Sequence, residues 1–131
     1  MLRGKLQTEY AEQWNAAGID AILCPVAPTV ASAHGESLYW GYTSVFNILD
    51  YSSVAFPVGT VWGRDTWENY PDDSTELMGD LDTTFRKLYT GPEKYKDAPV
   101  ALQLVTRRLR EEQALEIATE VLRCLKDPTN S

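Results

Sequence analysis

The stretch FNILDYSSVAFPVGTV, Phe46 to Val61, decides how the chain is read. Its first half patterns as a short helix ending near Leu49, and its second half, Val54 to Val58, as an apolar strand closed by Pro57 and Gly59. Between them the paired Ser52 and Ser53 read as turn residues. The segment has the order of an element built into a sheet, yet it offers no acid-base or metal-ligand pattern. It reads as scaffold and pocket wall for chemistry located elsewhere.

Working outward, Leu2, Leu6, Tyr10 and Trp14 recur every four residues as the apolar stripe of a helix, with Gly18 as its left-handed stop. Ala21 to Cys24 is a short apolar run suited to a strand buried on both faces of a parallel or mixed sheet; Pro25 and Pro28 should take the chain out of the ladder. A loop follows from Thr29 to Gly41, then a short helix for which Thr43 is the expected N-cap. Residues 62–79 are rich in acids and turn formers and read as a surface excursion. Asp80 should cap a helix carrying Leu81, Phe85, Leu88 and Tyr89, and Val100 to Val105 should form a third strand. On the last helix Leu115, Ala118, Val121, Leu122 and Leu125 should share the buried face. Strands separated by helices give an α/β class, a partial mixed β-sheet flanked by helices with too few strands to leave no bare edge.

Composition narrows the function classes. With 44% hydrophobic and 24% charged residues the chain is too apolar for disorder. Its net charge of -7 opposes nucleic acid and anionic membranes, and Arg107, Arg108 and Arg110 are followed at once by Glu111 and Glu112. No run approaches the roughly 18 apolar residues of a membrane span, and the N-terminal residues lack the apolar core of a secretory signal. Cys24 and Cys124 are expected as two small buried hydrophobes in a reducing, cytoplasmic setting.

A single histidine, His34, leaves no metal ligand set, and the chain has neither GxxxxGK[ST] nor GxGxxG, so no metal and no cofactor is expected. Serine chemistry is the remaining class to weigh. GESLY at Gly35 to Tyr39 lacks the second glycine of a nucleophile elbow, and Ser52 and Ser53 have Tyr51 and Val54 beside them where an oxyanion nest would want glycine. A hydrolase using Ser53 or Ser37 with His34 has little support, and no catalytic residue is assigned to the chain.

Three ordered blocks resemble the C-terminal part of amidase-signature hydrolases, above all the fungal acetamidase-like and general amidase branch: GIDAILCPVAPTVASAHG (18–35), YWGYTSVFNILDYSSVAFPVG (39–59) and APVALQLVTRRLREEQALEIA (98–118). The resemblance implies that residues 1–131 are one C-terminal segment of the amidase-signature α/β/α fold. It implies hydrolysis of a carboxamide to carboxylate and ammonia or amine in the parent enzyme, by a Ser-Ser-Lys triad whose members match no residue here. The segment alone should be inactive and poorly soluble. Its implied partner is the missing N-terminal amidase portion, carried on the parent chain or on a separate chain whose sheet this segment completes; self-association is a further outcome. Departures from the family pattern fall at Asp50, Ala101 and Thr106, where members carry glycine, and at Ser52, where they carry proline. Trp40 stands where glutamine-acting members have an aspartate that clamps an amino group, so the preferred amide should be small and neutral, with Tyr39, Trp40 and Tyr42 as the candidate substrate-pocket wall.

Overall fold

Helix α1 (Leu2–Ala17) ends at Gly18, whose φ of 62° lets its N–H return to the Trp14 and Asn15 carbonyls at 3.2 Å. The structure, a computed structural model, describes residues 2–66 and 79–126. Strand β1 (Ile22–Pro25) follows, then helix α2 (Gly41–Leu49), strand β2 (Ser52–Thr60), helix α3 (Asp80–Leu88), a 3-10 turn at Pro92–Tyr95, strand β3 (Pro99–Thr106) and helix α4 (Glu111–Lys126). Most of the expected excursion at 62–79 lies outside the described residues.

The sheet order is β1-β3-β2, and both pairings are antiparallel. The α/β class with flanking helices is as expected; parallel neighbours for β1 are not found among the described residues. Pro25 stays in the ladder opposite Leu102, at the end of an edge strand where a missing N–H is tolerated. β2 is longer than its apolar run implies. Ser52 and Ser53 are strand residues opposite Thr106 and Val105, not turn residues, because β3 is long enough to pair with both. A bulge between Pro57 and Gly59 shifts the register by one residue.

Helices cover the two sheet faces unevenly. On one face Phe56 and Leu104 pack with Ala114 and Ala118 of α4. On the other, Val105 packs with Phe46 and Leu49 of α2, with Tyr10 of α1 and Ile22 and Cys24 of β1 around them. α4 therefore lies over β2 and β3, while α1 and α2 lie over β1 and β3. Among the described residues, two diagonally opposed corners of the sheet stay exposed. Leu23, paired with the 2% exposed Leu104, is itself 48% exposed, and Ser53, Ala55 and Pro57 are exposed on the opposite face.

Several helix details differ from expectation. Trp40, not Thr43, is the residue before α2; Thr43 lies inside the helix and its hydroxyl donates to the Trp40 carbonyl at 3.2 Å. Gly79 precedes α3, and Asp80 is its first residue, well placed against the helix dipole. α4 buries Ala114 and Ala118, with Ile117, Val121 and Leu122 half-buried; Leu115 and Leu125 point away. Ala118, Val121 and Leu122 thus face the sheet as expected, and the small Ala114 and Ala118 let the helix approach it closely. In α1 Trp14 is buried, whereas Leu2 and Leu6 are exposed, and Arg3 and Gln7 instead donate to the Ile48 carbonyl of α2.

The end of α2 explains one departure from the family pattern. Asp50 has φ 61°, its N–H donates to the Asn47 carbonyl, and the Tyr51 N–H reaches the Phe46 carbonyl at 3.0 Å, a Schellman closure. A left-handed residue there favours glycine, at a cost of roughly 1 kcal/mol for other side chains. Asp50 regains part of it through an exposed ion pair to Arg108 at 2.8 Å. Asp50→Gly should leave the chain equally stable or stabilise it by up to about 1 kcal/mol, whereas Asp50→Val should destabilise it by about 1–2 kcal/mol. Urea denaturation of the three proteins measures both shifts.

Candidate active-site wall

The aromatic trio sits at the start of α2. Tyr39 lies in the preceding loop, Trp40 at the boundary and Tyr42 in the first turn. Tyr39 and Tyr42 meet edge to face at 6.0 Å between ring centroids, while Trp40, 64% exposed, packs least. The Tyr39 ring lies directly over Gly41, where an added Cβ would collide with it. A larger residue at this position would displace the Tyr39 ring from where it lies.

Three sets of contacts fix the segment carrying the trio to the fold. The Trp40 carbonyl accepts from the Thr43 and Ser44 N–H groups at 3.1 and 2.8 Å, which closes the first turn. The loop after β1 is pinned by the Ala31 N–H on the Pro99 carbonyl and by Glu36, which pairs with Lys94 at 2.8 Å. That hydrogen bond holds the Lys94 ammonium above its ordinary pKa. Finally Gln103, 3% exposed on β3, donates from Nε2 to the Pro25 carbonyl at 2.9 Å and the Tyr42 carbonyl at 2.7 Å. The sequence reading passed over Gln103, a polar residue inside an apolar run. The signal was available: a strand covered on both faces buries such a residue, and a buried amide needs partners.

The other candidates do not converge. His34 and Ser37 are exposed in the loop before α2, and Ser53 is exposed on β2. Ser52 Oγ donates to Glu111 Oε1 at 2.9 Å and lies 3.4 Å from the Arg110 N–H, so this hydroxyl ties β2 to the start of α4. That bond also gives the serine a role the family's proline could not fill. Thr106 likewise is fully buried and donates to the Arg110 carbonyl at 3.0 Å. Two open clefts of about 450 Å³ share Arg107 and Arg110 at the β3–α4 turn, and neither is lined by the aromatic trio.

Contrary to the expectation of two buried thiols, Cys24 is half-buried and Cys124 exposed. Burial pushes the Cys24 thiol above its usual range, with Gln103 opposing weakly, and burial raises the neighbouring Tyr10 phenol, with Tyr51 and Cys24 adding to the effect. The raised value keeps Cys24 a neutral thiol at neutral pH. Among the described residues no three His, Cys, Asp or Glu side chains gather as a metal site, and no helix is long and apolar enough to cross a membrane.

The Amidase family model matches residues 1–115. The chain belongs to the amidase family. The acetamidase of Emericella nidulans is 40% identical over 121 residues, covering 88% of this chain and 21% of that protein. The acetamidase of Aspergillus oryzae is 38% identical over 123 residues, covering 89% and 22%. Among solved structures, fatty acid amide hydrolase superposes with a TM-score of 0.82 at 26% identity, over 96% of this chain and 22% of that one. The chain therefore spans about a fifth of the length of the amidases it matches. It is a segment of the amidase-signature α/β fold, and the helical layers described above are that fold's local form.

Proposed function

We propose that this chain is the C-terminal segment of a cytoplasmic amide hydrolase, in which it supplies sheet and pocket wall while the attacking residues come from the rest of the enzyme. The parent reaction is that of a carboxamide with water, giving a carboxylate and ammonia or an amine. The observation that carries this reading is the combination of a match along nearly the whole chain with coverage of only about a fifth of each relative. The bare sheet corners at Leu23 and at Ser53, Ala55 and Pro57 fit the same reading, since exposed strand edges call for a cover. The substrate is a small neutral amide held against Tyr39, Trp40 and Tyr42, because an indole at Trp40 gives no carboxylate for an ammonium group. A second reading rests on those same corners: the segment is a non-catalytic subunit that docks onto a separate amidase chain by strand addition.

Reconstitution tests both. The chain is co-expressed with the first four-fifths of the Emericella nidulans acetamidase, and the complex is assayed for ammonia release from acetamide. Co-purification with recovered turnover is the expected result. Two pieces that each stay soluble yet neither associate nor hydrolyse acetamide would overturn the proposal.

A further inference from the structure

We propose that Gln103 is a positioning residue for amide selectivity: from the buried middle strand its side-chain amide holds the Tyr39–Tyr42 segment at a set distance from the end of β1, and so fixes the width of the aromatic wall. The selectivity part rests on the amidase reading above; the positioning part stands on the geometry alone.

The geometry is specific. Gln103 is separated by 78 residues from Pro25 and by 61 from Tyr42, and its one nitrogen reaches the carbonyls of both. Two carbonyl acceptors require the nitrogen, not Oε1, to face them, and the primary amide has two protons for the purpose. Pro25 is the last residue of β1, where the ladder stops, and Tyr42 belongs to the first turn of α2. The amide therefore bridges a strand end and a helix start, and among the described residues it is the side chain that hydrogen-bonds to both. With the side chain 3% exposed, water does not readily replace the missing partner in a variant. The wall itself carries its chemistry at the rim, where Trp40 is exposed, and its control at the buried root.

Donor number is the variable to test. Glutamine offers two protons, a protonated glutamic acid one, and methionine or an ionised glutamate none. The titratable side chains packed on this face are Cys24, opposite Gln103 on β1, Tyr10 of α1 and Tyr51 just before β2; burial pushes the Cys24 thiol and the Tyr10 phenol upward, so these two stay neutral from about pH 4 to 7. Ala55 of β2 lies opposite Gln103 on the other side.

Hydrogen exchange on the 131-residue chain is read at the Thr43 and Ser44 amides, which report the first turn of α2, and at Val105 for the sheet. Gln103→Met should speed exchange at Thr43 and Ser44 about tenfold more than at Val105. Gln103→Glu should behave like Gln103→Met near pH 7 and recover part of the protection as pH falls. Facing two carbonyls, its carboxyl titrates above the usual value of about 4.3, so the gain is complete below that value and is lost as pH rises through the raised one. Equal acceleration at all three amides, or a Gln103→Glu variant without pH recovery relative to wild type, overturns the positioning role. In the reconstituted enzyme the same Gln103→Met change should alter the benzamide-to-acetamide KM ratio about fivefold with kcat nearly constant. Failure to reconstitute counts against the amidase reading and leaves the exchange result standing. Reconstitution with an unchanged KM ratio overturns the selectivity role alone.

Discussion

The isolated chain, freed of host amidases, should release ammonia from acetamide or benzamide no faster than buffer does. Catalytic groups that act as a unit lose on the order of 10⁴ to 10⁶ in rate when the nucleophile is removed, so the expected effect is close to complete. Among the described residues the paired serines of β2 are otherwise engaged or poorly placed. Ser52 donates a hydrogen bond to the Glu111 carboxylate, and Ser53 stands exposed on β2, the outer strand of the described sheet. His34 is exposed in the loop before α2, away from both serines' strand. Turnover that survives repurification and disappears in Ser53→Ala or His34→Ala would show a self-contained active centre and reverse the proposal.

Leu104→Ala carries the largest expected stability effect, a loss of about 3 kcal/mol. Leu104 lies at the crossing of all three strands, opposite Leu23 and Val54, and packs in the cluster with Phe56, Ala114 and Ala118. With helix on one side and paired strands on two others, the cavity has little room to collapse. Against a total of roughly 5–15 kcal/mol for a domain, that is enough to populate unfolded chain. Leu115→Ala is the matched control. Leu115 is exposed, so the same truncation should change stability by less than about 0.5 kcal/mol. Urea midpoints for the two variants decide the matter, and equal losses would mean that α4 sits with its other face on the sheet.

That contrast also shows what the sequence could tell. The existence and order of helices and strands followed from periodicity, because the 3.6- and 2-residue repeats are local. The buried stripe of α4 followed in part: Ala118, Val121 and Leu122 face the sheet as expected, whereas Leu115 and Leu125, though more hydrophobic than Ala114, are exposed while Ala114 is buried. Strand direction was hidden: pairing β1 with β3 joins residues about eighty positions apart, and an apolar run looks the same in either orientation. The Ser52–Ser53 error came from judging a strand by its own residues when its length is set by its partner. For the site, the aromatic trio could be named from its residues, but Gln103 could be found only by asking what a polar side chain does between two apolar neighbours. Asp50 offers the reverse lesson, for a departure from glycine became intelligible once its left-handed backbone was seen.

The diagonal arrangement of the two uncovered corners has a consequence for assembly. A flat add-on can shield one of them but not both, because they face opposite directions across the sheet. A covering part of the kind proposed above would have to reach around the sheet like a clasp, gripping front and back at once. Such a grip closes all together or not at all, so pieces brought together while still being synthesised should marry far more readily than pieces purified apart and mixed.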